Sequence, residues 1–182
     1  MTVRQLHLLG SPVLRQRAVP VAAVDDAVRR LVDDLFETMH AAKGVGLAAN
    51  QVGVAQRVAV VDVGEDAPPP LVLINPRILQ SSEVIESAEE GCLSIPDIYG
   101  DVDRHVNVTL EALDRDGHPY RLELSGFKAR ATQHEIDHLD GILFLDHLSA
   151  VKRSMLLGKR KKSRKGQSGY VKDVTPEPAG EL

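Results

Sequence analysis

Two histidines four positions apart are the clearest chemical signal in this chain. They are the first and last residues of the segment His134-Glu135-Ile136-Asp137-His138. On a helix, residues at i and i+4 share one face with Cβ atoms about 5–6 Å apart, so both imidazoles can reach one metal ion at about 2 Å. Glu135 is rotated by about 100° from His134, and Asp137 lies at a similar angle on the other flank. The spacing predicts a metal site beside two carboxylates, and the precedent of HExxH motifs favours Glu135 as the base.

A catalytic metal needs a third protein ligand, and its position separates enzyme classes. A metzincin-like protease would have a histidine six residues after His138, where Phe144 stands. A thermolysin-like protease would have a glutamate about twenty residues downstream, but the next one is Glu177, in the predicted frayed tail. We therefore expect an upstream ligand and favour Cys92, the single cysteine, because thiolates bind metals strongly. Its segment EGCLS, residues 90–94, is predicted as a loop.

A third segment, GVGLAANQ at residues 44–51, follows the first predicted helix. Its glycines permit backbone conformations and close approaches that side chains forbid. The segment lacks the Lys-Ser/Thr pair of a P-loop and the glycine spacing of dinucleotide-binding loops, so a phosphate-binding role is disfavoured. By itself it predicts a turn.

Three helices are predicted around these motifs. The first is capped by Asp25 or Asp26 and extends to about Ala42, with apolar residues at helical spacing. The second, over about 126–139, carries both histidines, and Asp140-Gly141 ends it. A third extends from Leu148 into a basic segment, after which a Gly/Ser/Pro-rich end is expected to fray.

Four or five strand-like runs lie between the first two helices. They are Arg57–Val63, Leu71–Asn75, Ile78–Ile85, Val106–Leu113 and Tyr120–Leu124, with a turn at 114–117. Because the strands cluster instead of alternating with helices, the pattern predicts an α+β fold and disfavours a doubly wound one. We expect antiparallel sheets packed around a central metal-binding helix, followed by a C-terminal helix and a basic tail.

Length, composition and charge restrict the classes of function. With 182 residues, 43% apolar and 26% charged, the chain has room for one compact domain. It has no apolar run approaching about 18 residues and no signal-peptide core, so we expect a cytoplasmic protein with no membrane partner. Residues 1–151 hold 13 Lys/Arg against 23 Asp/Glu, whereas residues 152–182 hold 9 against 3. The acidic body is a poor candidate for binding nucleic acid, DNA included, whereas the basic tail is a reasonable one.

Taken together, the three segments resemble the signatures of the peptide deformylases. That family has a Gly-x-Gly-x-Ala-Ala-x-Gln loop, a Glu-Gly-Cys-x-Ser loop and a His-Glu-x-x-His helix, which stand here at 44–51, 90–94 and 133–138 in the same order. The resemblance extends from about Leu8 to about His147, and Ser11 stands where the family would have aspartate. It implies a deformylase catalytic domain over residues 1–150 and a basic C-terminal helix and tail over 151–182.

The resemblance also implies the reaction and the metal ligands. The family removes the N-formyl group from the formyl-methionine terminus of nascent polypeptides and releases formate. Its ligands carry over to Cys92, His134 and His138, with water in the fourth position. A Cys/His/His site suits both Zn(2+) and Fe(2+). The family implies Fe(2+) in the cell, with Zn(2+) or Ni(2+) as replacements.

Three further residues take catalytic roles by the same resemblance. Glu135 would accept the proton of the water and later deliver it to the leaving amine. The side-chain amide of Gln51 and the backbone N–H of Leu93 would donate hydrogen bonds to the former formyl oxygen as it gains negative charge.

A methionine pocket needs apolar walls beside the metal. One wall is predicted on the helix face of His134, from Phe127, Arg130 and Ala131, with the Arg130 head group in water. The opposite wall is predicted from Val45 and Leu47, and Gly44 and Gly46 beside them are predicted to contact the substrate as well. The backbone of Gly46 is expected to pair with an extended peptide, and a Glu90–Arg104 pair to steady the cysteine loop.

Two alternatives stay open at this point. An HExxH-type metallopeptidase would use the same helix but would need a cleft for residues on both sides of the cleaved bond, and assays on casein and on formyl peptides separate the two. The other alternative is a non-enzymatic ribosome- or RNA-binding module with a structural metal. Because the family acts on chains leaving the ribosome, the resemblance also predicts that segment 152–165 docks on ribosomal RNA or protein near the exit tunnel.

Overall fold

The computed structural model of the chain describes residues 2–64, 69–164 and 169–175, and the architecture below is that of these ranges. The helices are α1 Asp26–Ala41, α2 Gly126–Leu139 and α3 Ala150–Ser163. The strands are β1 Leu6–His7, β2 Gly46–Ala48, β3 Val58–Val61, β4 Leu71–Ser81, β5 Ile85–Cys92, β6 Ile95–His105, β7 Asn107–Leu113, β8 Pro119–Ser125 and β9 Val171–Lys172. None of the helices in this part of the chain combines the length and hydropathy needed to cross a bilayer.

Antiparallel pairing organises the strands into three sheets. Five strands form the largest sheet, in the order β2-β3-β4-β7-β8, while β5 and β6 form a long hairpin and β1 pairs with β9. Each of these neighbouring strand pairs is antiparallel. The predicted α+β class with antiparallel sheets is confirmed.

Helix α1 forms where its capping residue and apolar spacing predict it. The Asp25 carboxylate accepts a hydrogen bond from the backbone N–H of Val28 at 2.9 Å, which satisfies one of the free donors at the helix start. The helix buries one face against the sheet, with Val28, Leu31, Val32, Leu35 and Met39 in the core. It ends before Lys43, whose positive φ of 57° turns the chain toward β2.

Helix α2 matches its predicted range and lies between the large sheet and the hairpin. On one side Ala129, Ala131 and Leu139 join the sheet core. On the other side Arg130 donates to backbone carbonyls of β5 and β6, and Gln133 donates to that of His105. A helix held from both sides can present His134 and His138 in a constant orientation.

The predicted break between Leu71–Asn75 and Ile78–Ile85 is wrong, because β4 continues from Leu71 to Ser81. Proline 76 lacks a backbone donor, and the strand accommodates it at an irregularity between Ile74 and Arg77. Asn75 has a positive φ of 51° there, and its side chain bonds both backbone groups of Val21. A bulge supported from outside the sheet replaces the predicted break.

The predicted loop at 90–94 is also wrong in part. Glu90, Gly91 and Cys92 end strand β5, and Cys92 faces Ile95 across the tight turn into β6. The run before it, Ile85 to Glu90, is largely polar and exposed, so it lacks the apolar alternation by which strands are recognised. Cys92 therefore occupies a hairpin end, a more rigid position than a free loop.

The third helix begins at Ala150, where the Ser149 hydroxyl caps the backbone N–H of Lys152 at 3.2 Å. None of its described side chains is buried. After it the chain returns, and residues 171–172 pair with β1. The expectation that the whole end frays is wrong for residues 169–175, whereas Glu177 lies outside the described residues.

Candidate active site

The hairpin end and α2 bring the three predicted metal ligands together. The Sγ of Cys92 lies 3.2 Å from Nε2 of His138. The rings of His134 and His138 have centroids 4.9 Å apart, and one ligand atom from each of the three residues lies within 4.8 Å of the others. Cys92 and the histidine pair, more than forty residues apart in sequence, converge at one point.

This donor set fits a divalent transition metal. Metal–sulfur and metal–nitrogen bonds of about 2.3 and 2.0–2.1 Å place tetrahedral ligand atoms roughly 3–4 Å apart, the range in which Cys92 Sγ and His138 Nε2 lie. The Nδ1 of His134 is engaged by Glu90 at 3.0 Å, which leaves Nε2 as the nitrogen available to a metal. A thiolate with two imidazoles suits Zn(2+) and Fe(2+).

Glu90 is the centre of a buried charge network behind the ligands. Its carboxylate accepts from Arg104 Nε and Nη2 at 2.9 and 3.0 Å, from Arg130 Nη1 at 2.9 Å, and from His134. Burial alone would raise the pKa of Glu90, but the hydrogen bonds from His134 and Arg104 outweigh it and hold this pKa well below its ordinary value. Glu90 is therefore a fixed anion that orients His134, and the predicted Glu90–Arg104 pair is present.

The prediction that the Arg130 head group stays in water is wrong. The Arg130 side chain is 8% exposed, and besides Glu90 its guanidinium donates to the carbonyls of Glu86 at 2.7 Å and Val102 at 2.8 Å. A buried guanidinium is stable when carbonyls and a carboxylate accept hydrogen bonds from its several donors. Arg130 thus links α2 to both strands of the hairpin.

The environments of Glu135 and Asp137 differ sharply. Asp137 Oδ2 accepts from Arg104 Nη1 at 2.5 Å and lies 2.7 Å from His147 Nε2, so this carboxylate is engaged in the network. Glu135 is 4% exposed, and its Oε2 has no hydrogen-bond partner among the described residues. Burial raises the pKa of Glu135 to about 7. Glu135 therefore combines an unengaged oxygen with a raised pKa that suits proton exchange near neutrality.

Gln51 lies against the cysteine ligand in a set orientation. Its Oε1 accepts from the Ala48 N–H at 2.9 Å, which directs Nε2 toward Ser94 Oγ at 3.1 Å and Cys92 Sγ at 3.5 Å. Leu93 follows in the turn between β5 and β6, with its side chain packed against Gly44, where an added Cβ would lie 2.6 Å from Leu93 Cδ1. An amide donor and a turn residue therefore flank the sulfur.

A cavity of about 790 Å³ opens beside these groups. Six of the seven predicted pocket residues line it, namely Gly44, Val45, Gly46, Phe127, Arg130 and Ala131. Leu47 does not, because it is completely buried in the core between α1 and the sheet. The prediction of Leu47 as a wall residue is therefore wrong: Val45 precedes strand β2, whereas Leu47 lies within it and points to the face opposite that of Gly46.

Sequence reasoning missed a further wall of this cavity. Leu6 and the segment from Lys172 to Thr175 also line it. No local pattern marks these residues, since they reach the cavity only through the pairing of β1 with β9.

Comparison with known proteins relates residues 3–154 to a family model described as polypeptide deformylase. A peptide deformylase of Chromohalobacter salexigens is 53% identical over 149 residues, which cover 82% of this chain and 88% of the relative. A peptide deformylase of Rhizobium meliloti is 48% identical over 168 residues, covering 91% of this chain and 96% of the relative.

Solved structures show the same similarity in three dimensions. A peptide deformylase of Ehrlichia chaffeensis in complex with actinonin superposes with a TM-score of 0.86 at 38% identity, covering 91% of this chain and 99% of that one. A peptide deformylase of Synechococcus elongatus in complex with actinonin gives 0.81 at 43% identity, covering 85% and 86%.

Proposed function

Since the chain belongs to the polypeptide deformylase family, metal-dependent hydrolases that remove the formyl group from the N-terminal methionine of nascent peptides, we propose that Cys92, His134 and His138 hold its metal ion. The observation that carries this proposal is the 3.2 Å approach of Cys92 Sγ to His138 Nε2. The buried Glu90 supports it by holding His134 through Nδ1.

Glu135 is the catalytic base in this proposal. A bound divalent cation would polarise the formyl carbonyl and lower the pKa of water at the site. Glu135 accepts a proton from the attacking water, whose oxygen bonds to the formyl carbon, and delivers that proton to the amine as the C–N bond breaks. The products are formate and a free N-terminal amine.

Gln51 and Leu93 stabilise the charge that develops on the formyl oxygen. The Gln51 amide is oriented by Ala48 before substrate binds, so its Nε2 needs little reorganisation to donate. The backbone N–H of Leu93 is the second donor, one residue after the cysteine ligand.

The methionine side chain and the peptide backbone occupy the cavity. Val45, Phe127 and Ala131 supply apolar lining. Strand β2 lies at the edge of its sheet, and its first residue, Gly46, lines the same cavity. An extended peptide that pairs with this edge would hold its formyl end in one register.

The native ion in this proposal is Fe(2+), with Zn(2+) or Ni(2+) as replacements. Imidazole and thiolate ligands suit iron and zinc, and an iron–thiolate site is expected to be oxygen-sensitive. The test is anaerobic preparation of the full chain, metal analysis, and formate release from a formyl-Met peptide. Cys92→Ala should reduce both metal content and turnover, and full metal retention in that variant would contradict the assignment of Cys92.

In this proposal residues 1–150 form the catalytic domain. The basic segment 152–165 docks on the ribosome. The last residue of that segment, Lys165, lies outside the residues that the structure describes. The support is helix α3, which buries none of its described side chains and presents Lys152, Lys159, Lys161 and Lys162 to solvent. An enzyme acting on nascent chains belongs in the cytoplasm. Replacing these four lysines by glutamate should weaken ribosome affinity and its dependence on salt; unchanged affinity would contradict the docking.

A further inference from the structure

The C-terminal segment of residues 169–175 returns from α3 to the cavity. It lies beyond residues 3–154, the part matched by the family model. Within it, Lys172 pairs with Leu6 and Val171 with His7, which adds β9 to β1. The segment therefore becomes part of the folded body.

Four contacts hold this segment in place. The Leu8 N–H donates to the Tyr170 carbonyl at 2.6 Å, and Gln5 Nε2 donates to Asp173 Oδ1 at 2.7 Å. The Tyr170 ring covers Gly10, where an added Cβ would lie 2.2 Å from ring atom Cε1. Val174 packs against the core between α1 and the sheet. Backbone, polar and apolar contacts together give the segment one position.

In that position the segment lines the same cavity as the catalytic groups. The lining includes Lys172 and Thr175 together with His134 and Glu135. An extended peptide advances by about 3.3 Å per residue, so residues after the methionine can lie in a cavity of about 790 Å³. A peptide whose formyl end lies at Glu135 shares this cavity with the residues that the C-terminal segment contributes.

Lys172 brings a positive charge to this wall. Its side chain is exposed and forms no salt bridge with the residues that the structure describes. The carboxylate of the neighbouring Asp173 accepts a hydrogen bond from Gln5. The other exposed charges of the lining are Asp173 itself and, on different elements, Lys43 after α1 and Glu89 on β5.

We propose that segment 169–175 forms a wall of the substrate groove and that Lys172 is a specificity-determining residue, which binds an acidic side chain of the formyl peptide beyond its methionine. The proposal rests on the proposed function, since the formyl end must lie at Glu135. It concerns only the choice among substrates, so Lys172 takes no part in the chemical step.

The test compares three substrates on the full chain. These are formyl-Met-Ala, formyl-Met-Ala-Glu-Glu and formyl-Met-Ala-Lys-Lys, with kcat/KM measured from formate release at low and at high salt. The protein should prefer the acidic over the basic peptide by about fivefold at low salt, and less at high salt because exposed charges are screened. Lys172→Glu should remove or reverse this preference, measured as the ratio of kcat/KM between the acidic and the basic peptide.

A matched control is Lys159→Glu, the same charge reversal at an exposed position on α3 outside the cavity lining. It should keep the preference of the unmodified chain. Lys172→Gln, a milder change, should abolish the preference without reversing it. Equal peptide ratios in the unmodified chain and both Lys172 variants, or the same change in Lys159→Glu, would overturn the proposal. Failure of the unmodified chain to release formate from formyl-Met-Ala would instead overturn the proposed function.

Discussion

Among single residues, the decisive contrast is between the two carboxylates of the motif helix. Asp137 is held by Arg104 and lies beside His147, whereas the buried Glu135 keeps an unpartnered oxygen. The Asp137 oxygen is already committed to these contacts, whereas the Glu135 oxygen can accept a new hydrogen bond. This contrast supports Glu135 as the base, a role that spacing alone left shared between the two.

Glu135→Gln should therefore lose about 10²–10⁴ in turnover, the usual contribution of a general base. Its metal content should not change, because the amide replaces the carboxylate without touching the three ligands. Formate release and metal analysis on the same sample measure the two effects. Near-normal turnover in this variant would assign the proton transfer to another group.

Glycine is needed at position 46 because the side chain of Glu135 lies too close to Gly46 for a Cβ. A Cβ at Gly46 would lie 2.4 Å from Glu135 Oε1 and 2.8 Å from its Cγ, so Gly46→Ala must displace the carboxylate. We expect kcat to fall by about 10- to 100-fold, since small displacements of a catalytic group are costly, with metal content unchanged. Gly158→Ala is the control, because nothing lies within 4 Å of a Cβ added there. Equal kcat values in both variants would show that Glu135 adapts.

On the scale of elements, Arg130 joins α2 to the hairpin that carries Cys92. Arg130→Met should lower the free energy of unfolding by about 3–5 kcal/mol, since it leaves the buried Glu90 and two carbonyls short of donors. Urea unfolding measures the change. The control is Arg121→Met, because Arg121 pairs with Glu111 at the surface with its side chain 65% exposed; this variant should change stability by less than about 1 kcal/mol. Similar losses in both would contradict the linking role of Arg130.

The sequence predicts some helices and strands more accurately than others. Both α1 and α2 were predicted closely, because a capping residue, apolar spacing and a terminating turn all lie within the segment itself. The β5–β6 hairpin was missed because its strands are polar and are stabilised by each other and by α2. The sequence predicts a break at Pro76 instead of the bulge in β4, because the bulge is supported by hydrogen bonds between Asn75 and Val21, which is distant in sequence.

In the whole molecule, long-range ion pairs connect distant segments of the chain. Arg15, near the N-terminus, donates to Asp146 at 2.5 Å. Burial alone would raise the pKa of Asp146, but the hydrogen bonds from Arg15 and from the Leu143 N–H outweigh it and lower this pKa below its ordinary value. Such a carboxylate stabilises the fold above its unfolded pKa, and this stabilisation is lost as pH falls through the lowered folded pKa.

Asp146→Asn should therefore cost about 1 kcal/mol of unfolding free energy at pH 7, a modest value because solvent partly screens the pair. The difference from the unmodified chain should shrink as pH falls below about 4. Urea unfolding at pH 7 and pH 3 measures it. A difference that grows toward low pH would contradict the sign derived from the lowered pKa.

The motif helix, the i,i+4 placement of its histidines and the segregated α+β pattern follow from sequence, because each depends on residues close together in the chain. Resemblance to a family supplied the reaction and the proposed roles of Gln51 and Leu93, which spacing alone could not assign, and it agreed with Cys92 as the third predicted ligand. Tertiary structure decided which carboxylate is free, that Arg130 is covered, that Leu47 faces the core, and that residues 172–175 reach the cavity. Each of these depends on a partner far away in sequence, and only folding brings such partners within contact.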